Sequence, residues 1–228
     1  MMKKTITIVG AGPGLGLSIA KKFGANGFQI ALIARNAEKL NALAEELKAL
    51  DIDAAAFPAD LYSKEQLVSA FQGIKDKYGF IDVLEFSPTS GSYPPTPISQ
   101  VTEENAMDAF QALVVGAIRS VEQVLPEMLE KKGGAILFTT GLSSIYPIPM
   151  MGNMGIALSG LRNYANNLHT DLAPKGIYVA HLAIGAFIKP GTASDPGLIA
   201  DAWYDLYANK TQAEDTFPQG VTPATILW

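Results

Sequence analysis

The chain has 228 residues, 48% of them hydrophobic, which suits one folded domain better than two. A net charge of −5, with only three arginines (Arg35, Arg119 and Arg162), does not favour nucleic-acid binding, because that function needs basic groups to neutralise phosphates. The lack of cysteine excludes disulfides and thiolate catalysis, and two histidines (His169 and His181) are too few for a histidine-rich site, so we expect no metal.

Strands and helices alternate along the chain. The predicted strands are Ile6–Val9, Phe28–Ala34, Ala54–Ala59, Ile81–Phe86, Ala135–Thr139 and Tyr178–Ala183. The predicted helices are Leu15–Ala25, Glu38–Leu50, Ser63–Tyr78, Thr102–Leu129, Met154–Leu172 and Leu198–Lys210. This order predicts an α/β fold, a doubly wound parallel sheet of the Rossmann-like kind with helices on both faces, formed as a single domain over residues 1–228.

Two irregular segments are candidates for ligand contact. Residues 87–100 contain four prolines and follow a strand, and a long loop at that place is often a ligand lid. The tail, 185–228, is the second candidate. Its aromatic run Ala202–Tyr207 either closes over an apolar pocket or forms an exposed docking surface.

A glycine-rich loop joins the first strand to the first helix. Glycines let the backbone approach phosphate groups, and the dipole of the following helix favours negative charge. This arrangement predicts a pyrophosphate site. The residues expected to form it are Gly10, Gly12, Pro13, Gly14, Leu15 and Gly16.

The loop, V-G-A-G-P-G-L-G, resembles the glycine motif of short-chain dehydrogenases/reductases. The resemblance continues through ALIARN, Asp60-Leu61, LPEM and LRNYANNLHTDLAPKGIYV, and it spans about Thr5 to Ile188. It implies a nicotinamide cofactor, hydride transfer to a small-molecule substrate, contacts from Asp60 and Leu61 to the adenine, and a variable substrate-specific tail. For Asp60, a role as a simple cap or turn residue is the alternative.

The resemblance also implies oligomers. Helices 102–129 and 154–172 correspond to those that pair across a two-fold axis in this family, so a homodimer or homotetramer is expected. The alternative is that their apolar faces only cover the sheet.

The end of the second strand indicates which cofactor is bound. NAD sites place an acidic residue there to hold the ribose 2′-hydroxyl, whereas this chain has Arg35-Asn36. A guanidinium suits a 2′-phosphate, so NADP(H) is favoured over NAD(H). A solvated arginine that opens the next helix is the alternative interpretation.

The catalytic residues implied by the resemblance are missing. The family's Tyr and Lys positions fall on Met154 and Leu158, its Ser position on Gly141, and its Asn position near Leu113. No Y-x-x-x-K pattern occurs anywhere in the chain. Since methionine cannot donate a proton, the family's ordinary mechanism is not expected here.

Three other residues could supply an improvised acid site. Ser143 and Tyr146 follow the fifth strand, and Lys189 follows the sixth. The alternative is that these are ordinary residues of proline-rich turns. We interpret His169 as a helix-surface residue and His181 as a core histidine, and the cluster Met150, Met151 and Met154 as adaptable core filling or the lining of an apolar pocket.

Three functions remain open at this point. The first is an NADP(H)-dependent oxidoreductase with a non-standard active site. The second is a catalytically inactive NADP(H)-binding sensor or regulatory protein, and the third is a structural homo-oligomer with an empty site. No apolar run reaches membrane-spanning length and the N-terminus lacks a signal-peptide pattern, so we expect a cytoplasmic protein without a membrane partner.

Overall fold

The computed structural model describes residues 3–89 and 92–227; Ser90 and Gly91 of the predicted lid loop and Trp228 of the tail lie outside the described residues. Within them, seven parallel strands form one sheet in the order β3-β2-β1-β4-β5-β6-β7. The strands are β1 (Thr5–Val9), β2 (Gln29–Ile33), β3 (Ala54–Ala56), β4 (Val83–Phe86), β5 (Ala135–Gly141), β6 (Tyr178–Ile184) and β7 (Glu214–Phe217). The strand order reverses between β1 and β4, which confirms the predicted doubly wound sheet.

Helices cover both faces of the sheet. They are α1 (Leu15–Ala25), α2 (Ala37–Lys48), α3 (Lys64–Tyr78), α4 (Glu103–Phe110), α5 (Gly116–Lys131), α6 (Gly152–Leu172) and α7 (Pro196–Asn209). Because strand side chains alternate, Ile136 and Phe138 pack under α3, α4, α5 and α6, whereas Leu137 packs under α1, α2 and α7. The side chains of Asn36, Ser63 and Thr102 cap α2, α3 and α4.

The helix predicted for Thr102–Leu129 differs from the observed structure in one respect. The chain forms a π-helical turn at Gln111–Val115 between α4 and α5, and α5 continues to Lys131. The predicted position of the family Asn, Leu113, lies inside this turn. A π turn inside a helix is often found at a functional site.

The tail contains a strand that the sequence did not reveal. β7 has the sequence EDTF, which is too polar to signal a strand, and it pairs with β6 at the edge of the sheet. The ion pair between Glu214 of this strand and Arg162 of α6 helps to hold the polar strand at the edge of the sheet. In α7, Trp203 is completely buried in the core against α1, so neither of the two roles expected for the aromatic run describes that residue.

In the part of the chain that is described, no helix is both long and apolar enough to cross a membrane.

Candidate active site

One large cleft, about 900 Å³ in volume, opens at the carboxyl ends of the strands. In a doubly wound sheet the ligand lies there, at the point where the strand order reverses. The cleft brings together every cofactor residue that the sequence predicted. These lining residues are Gly10, Gly12, Pro13, Gly14, Leu15, Gly16, Arg35, Asn36, Asp60 and Leu61.

The glycine loop is shaped to leave room for a ligand. A Cβ on Gly12 or Gly14 would meet no described atom within 4 Å, so both positions face open space. Gly10 has φ +93°, and its Cβ would lie 2.5 Å from the backbone nitrogen of Pro88. No side chain of the described residues caps the N-terminus of α1. The start of a helix is suited to a bound phosphate because its first N–H groups have no partner inside the helix, and the start of α1 lies at this loop.

Two basic side chains mark the end of the cleft beside β2. Arg35 lines it, and so does Lys39, which no sequence pattern singled out. Asn36 accepts a hydrogen bond from the backbone of Lys39 (2.9 Å) and so caps α2 as well as lining the cleft. Asp60 accepts a bond from the backbone of Tyr62 (3.1 Å), so its turn role and its place at the cleft coexist.

The opposite end of the cleft is mostly apolar. Met151, Met154 and Leu158 line it, whereas Met150 is exposed. Ser143 lines it too, and its Oγ is buried without a hydrogen-bond partner among the described residues. An unpaired buried hydroxyl calls for a ligand or water as its partner.

Ser143 also lies close to Gly141, the position where the resemblance places a serine. Its Oγ is 3.8 Å from the point that a Cβ on Gly141 would occupy. The hydroxyl of Ser143 therefore reaches the space beside the position of the family Ser. Of the other two candidates, Tyr146 is half-buried and Lys189 is exposed, and the structure brings neither to the described cleft lining.

A buried carboxyl group lies under the same end of the cleft. Glu85 is fully buried and accepts hydrogen bonds from Ser87 and Thr139, both at 2.8 Å. Burial raises the pKa of Glu85 to about 8, against the two hydrogen bonds, which lower it. Ser87 and Thr139 line the cleft, and Thr139 also accepts a bond from Nε1 of Trp203 at 2.8 Å. The sequence analysis did not select Glu85. The feature that could have identified it is an acidic residue inside an otherwise apolar strand.

The proline-rich segment beside the cleft is held in place. Asp108 accepts bonds from the backbone of Ser92 (2.7 Å) and Tyr93 (3.3 Å). Asn153 accepts a bond from the backbone of Thr96 at 2.9 Å. The described part of the predicted lid is thus anchored to α4 and α6.

The glycine loop at the switch point of a doubly wound sheet defines a Rossmann-type nucleotide-binding protein. The chain belongs to the short-chain dehydrogenase family, which it matches over residues 4–195. It is 24% identical over 216 residues to the 3-oxoacyl-acyl-carrier-protein reductase FabG of Staphylococcus epidermidis, an alignment that covers 94% of this chain and 88% of the relative.

Solved structures share the fold of this chain. One is an actinorhodin polyketide ketoreductase with NADPH, with a TM-score of 0.84 and 21% identity over 93% of this chain and 94% of the other. Another is a metagenomic short-chain oxidoreductase in complex with NADP, with a TM-score of 0.82 and 22% identity over 93% of this chain and 96% of the other.

Proposed function

We propose that this protein is an NADP(H)-dependent oxidoreductase with a non-standard active site. The observation that carries the proposal is the composition of the cleft. Its one end joins the glycine loop to two basic side chains, and its other end presents the unpaired hydroxyl of Ser143. Membership of the short-chain dehydrogenase family and two NADP(H)-bound structures of the same fold support the cofactor assignment.

The cleft fits a nicotinamide dinucleotide that carries a 2′-phosphate. The space over Gly12 and Gly14 and the uncapped start of α1 would accept the pyrophosphate. Arg35 and Lys39 would hold the 2′-phosphate. Asp60 is the one acidic residue in the described lining, so positive charge exceeds negative charge at this end of the cleft. When bound, the cofactor supplies or accepts a hydride.

The side chains at the other end limit the chemistry available. A carbonyl that receives a hydride becomes an alkoxide, which must be stabilised and protonated. Met154 and Leu158, at the Tyr and Lys positions implied by the family resemblance, can do neither. The Ser143 hydroxyl has a free donor, and we assign to it the hydrogen bond that holds the substrate oxygen.

The walls favour a particular class of substrate. In the described lining, charged side chains occur only at the dinucleotide end, namely Arg35, Lys39 and Asp60. The substrate end has Ile148, Met151 and other apolar groups, so an uncharged, largely apolar carbonyl compound fits it best. The names of two similar proteins, a 3-oxoacyl reductase and a ketoreductase, agree with carbonyl reduction.

A second candidate function is a silent NADP(H)-binding sensor. The observation in its favour is the apolar character of Met154 and Leu158 in the cleft. In that case binding would occur without turnover. The third hypothesis, a structural subunit with an empty site, would be supported only by the absence of binding.

We further propose that the protein is a homodimer or homotetramer that pairs through α4, α5 and α6. Exposed apolar side chains on these helices support this proposal: Met107, Phe110, Leu129 and Ile156. Sedimentation of the purified protein tests it, and a monomer at micromolar concentration would contradict it.

The experiment that tests the function has two stages. In the first, NADPH and NADH are titrated into the wild type, Arg35→Ala, and Lys48→Ala, which removes an exposed cation of α2 outside the described lining. Loss of a charge-assisted bond of about 1.5–3 kcal/mol should weaken NADPH binding of Arg35→Ala roughly 10- to 150-fold. The NADH affinity of Arg35→Ala and the NADPH affinity of Lys48→Ala should stay close to the wild-type values. A wild type that binds NADPH and NADH with equal affinity would refute the role assigned to Arg35.

In the second stage, NADPH oxidation is followed with apolar ketones, aldehydes and enones. Turnover that falls in Ser143→Ala, while NADPH affinity is kept, is the result expected of the oxidoreductase. Binding without turnover on any of these compounds would favour the sensor. Failure to bind either nucleotide would overturn both proposals.

A further inference from the structure

A chain of hydrogen bonds runs from the cleft through the sheet to its outer edge. Its centre is His181 on β6, which is completely buried. Nε2 of His181 lies 2.6 Å from Oγ1 of Thr140, a residue that lines the cleft at the end of β5. Nδ1 of His181 lies 3.0 Å from Oε2 of Glu214 on β7. The histidine therefore joins a cleft hydroxyl to a carboxylate 33 residues away in the sequence.

The outer end of this chain reaches solvent. The side chain of Glu214 is 28% exposed, and Arg162 on α6 binds its two oxygens at 2.6 and 2.7 Å. The hydrogen bonds from His181 and Arg162 hold the pKa of Glu214 well below its usual range. Glu214 is thus a carboxylate at neutral pH, and Nδ1 of His181 must be the protonated nitrogen that donates to it.

The assignment of Nδ1 as a donor leaves Nε2 free to exchange a proton. Neutral His181 accepts at Nε2 from the Thr140 hydroxyl, and the imidazolium form donates to it. Ser144 Oγ lies 2.9 Å from the same Thr140 oxygen, and the carbonyl oxygen of Gly141 lies 3.3 Å from it. These bonds connect the cleft with Glu214 without a break.

Polar groups from three packed elements face His181, either directly or through Glu214. β5 contributes Thr140, β7 contributes Glu214, and α6 contributes Arg162 and, through a 3.3 Å bond to Glu214, Asn166. The second histidine of the chain, His169 on α6, directs Nδ1 to the carbonyl of Val179 at 2.8 Å instead.

We propose that Thr140, His181 and Glu214 form a proton relay that supplies the substrate end of the cleft. The inference rests on the proposed oxidoreductase function. In reduction, the alkoxide oxygen takes the hydroxyl proton of Thr140, and Thr140 takes the Nε2 proton of the imidazolium, whose charge the Glu214 carboxylate stabilises. His181 becomes neutral and keeps its Nδ1 proton, and Nε2 regains a proton through Thr140 from water that enters the cleft after the product leaves. Oxidation of an alcohol runs the same transfers in reverse.

This relay would compensate for the apolar side chains at the Tyr and Lys positions. Thr140 would be the catalytic residue, since it lines the cleft. His181 and Glu214 would act through it and are positioning residues. A purely structural role, in which the same bonds only tie β7 to the sheet, would not make turnover depend on the protonation of His181.

The first test is a pH profile of NADPH oxidation for the wild type, Thr140→Val and Glu214→Gln, with the most active compound of the carbonyl panel. Loss of general acid catalysis should lower kcat of Thr140→Val by roughly 10²–10⁴-fold and change the shape of the pH profile, with NADPH affinity unchanged. The matched control is Thr7→Val, the same change at a buried threonine of β1 whose hydroxyl has no partner among the described residues. It should keep both kcat and the profile.

The second test needs no substrate. In protein labelled with ¹⁵N histidine, the ring signals should show that Nδ1 of His181 is protonated and that Nε2 takes part in a hydrogen bond, as the relay requires. They should also differ in Thr140→Val and in Glu214→Gln, while the signals of His169 serve as the internal reference.

The outcomes separate the two proposals. A wild type that turns over while Thr140→Val keeps its rate and profile would overturn the relay and leave the oxidoreductase function standing. Absence of turnover would refute the oxidoreductase function, and the ring signals then decide whether a proton-exchanging chain exists. Signals that show Nδ1 of His181 without a proton, or that are unchanged in Thr140→Val, would overturn the relay in either case.

Discussion

The buried carboxyl of Glu85 should make the stability of this protein fall as pH rises. Folding raises the pKa of this group from an ordinary value of 4.5 to about 8, mainly by desolvation. The folded state therefore holds a proton that the unfolded state releases between these values. The contribution is complete below pH 4.5 and is lost as pH rises through about 8.

The magnitude follows from the gap between the two pKa values. At about 1.36 kcal/mol per pKa unit, ionisation of the buried group costs on the order of 5 kcal/mol above pH 8. The variant Glu85→Gln removes the ionisable group and keeps the partners, because its amide nitrogen can donate to Ser87 and its oxygen can accept from Thr139. The variant should thus gain about 4 kcal/mol over the wild type between pH 5 and pH 9.

Urea unfolding at pH 5, 7 and 9 measures this difference. Glu45→Gln, at an exposed glutamate of α2, is the control and should follow the wild type at each pH. A stability difference between Glu85→Gln and the wild type that is the same at pH 5 and pH 9 would refute the reasoning. It would mean that the carboxyl does not exchange a proton on folding in this range.

Three further predictions concern stability and the segment beside the cleft. Gly10→Ala should lose about 2 kcal/mol or more on urea unfolding, because its positive φ and the crowded Cβ position disfavour a side chain, whereas Gly12→Ala should stay within about 0.5 kcal/mol; equal losses would contradict this. Trp203→Phe should lose at least about 1–3 kcal/mol by the same assay, since it leaves the buried Thr139 without its indole donor, and an unchanged midpoint would count against that bond. Asp108→Ala should speed hydrogen exchange at the two backbone amides that its carboxylate holds, and protection equal to the wild type would show that the loop is anchored elsewhere.

The glycine loop and the alternation of elements were readable because they depend on local chemistry. Position 10 has a positive φ and a close approach to another backbone segment, and both features require glycine. The residue type alone therefore indicates them, as Gly10 does. The strand β2 is apolar after Gln29, as expected of a strand that is buried on both faces of the sheet. The predicted lining from Gly10 to Leu61 followed from this fold, because parallel strands bring their carboxyl ends to one edge.

The polar parts of the site could not be read in this way. Glu214 and His181 are 33 residues apart in the sequence, and neither lies in a pattern that marks a partner. Lys39 resembles any exposed lysine of a helix until the fold turns it toward the cleft. The strand β7 has no apolar alternation, and it depends on pairing with β6 and on the ion pair with Arg162.

The sequence by itself determined the doubly wound sheet, the family resemblance and the position of the nucleotide loop, since periodicity, turn chemistry and glycine spacing are properties of neighbouring residues. Only the tertiary structure decided which hydroxyl faces the cleft, which carboxyl is buried beneath it and which histidine touches both a threonine and a glutamate. Those contacts join β4, β5, β6 and β7, and their energies depend on burial and on distances that no local pattern encodes.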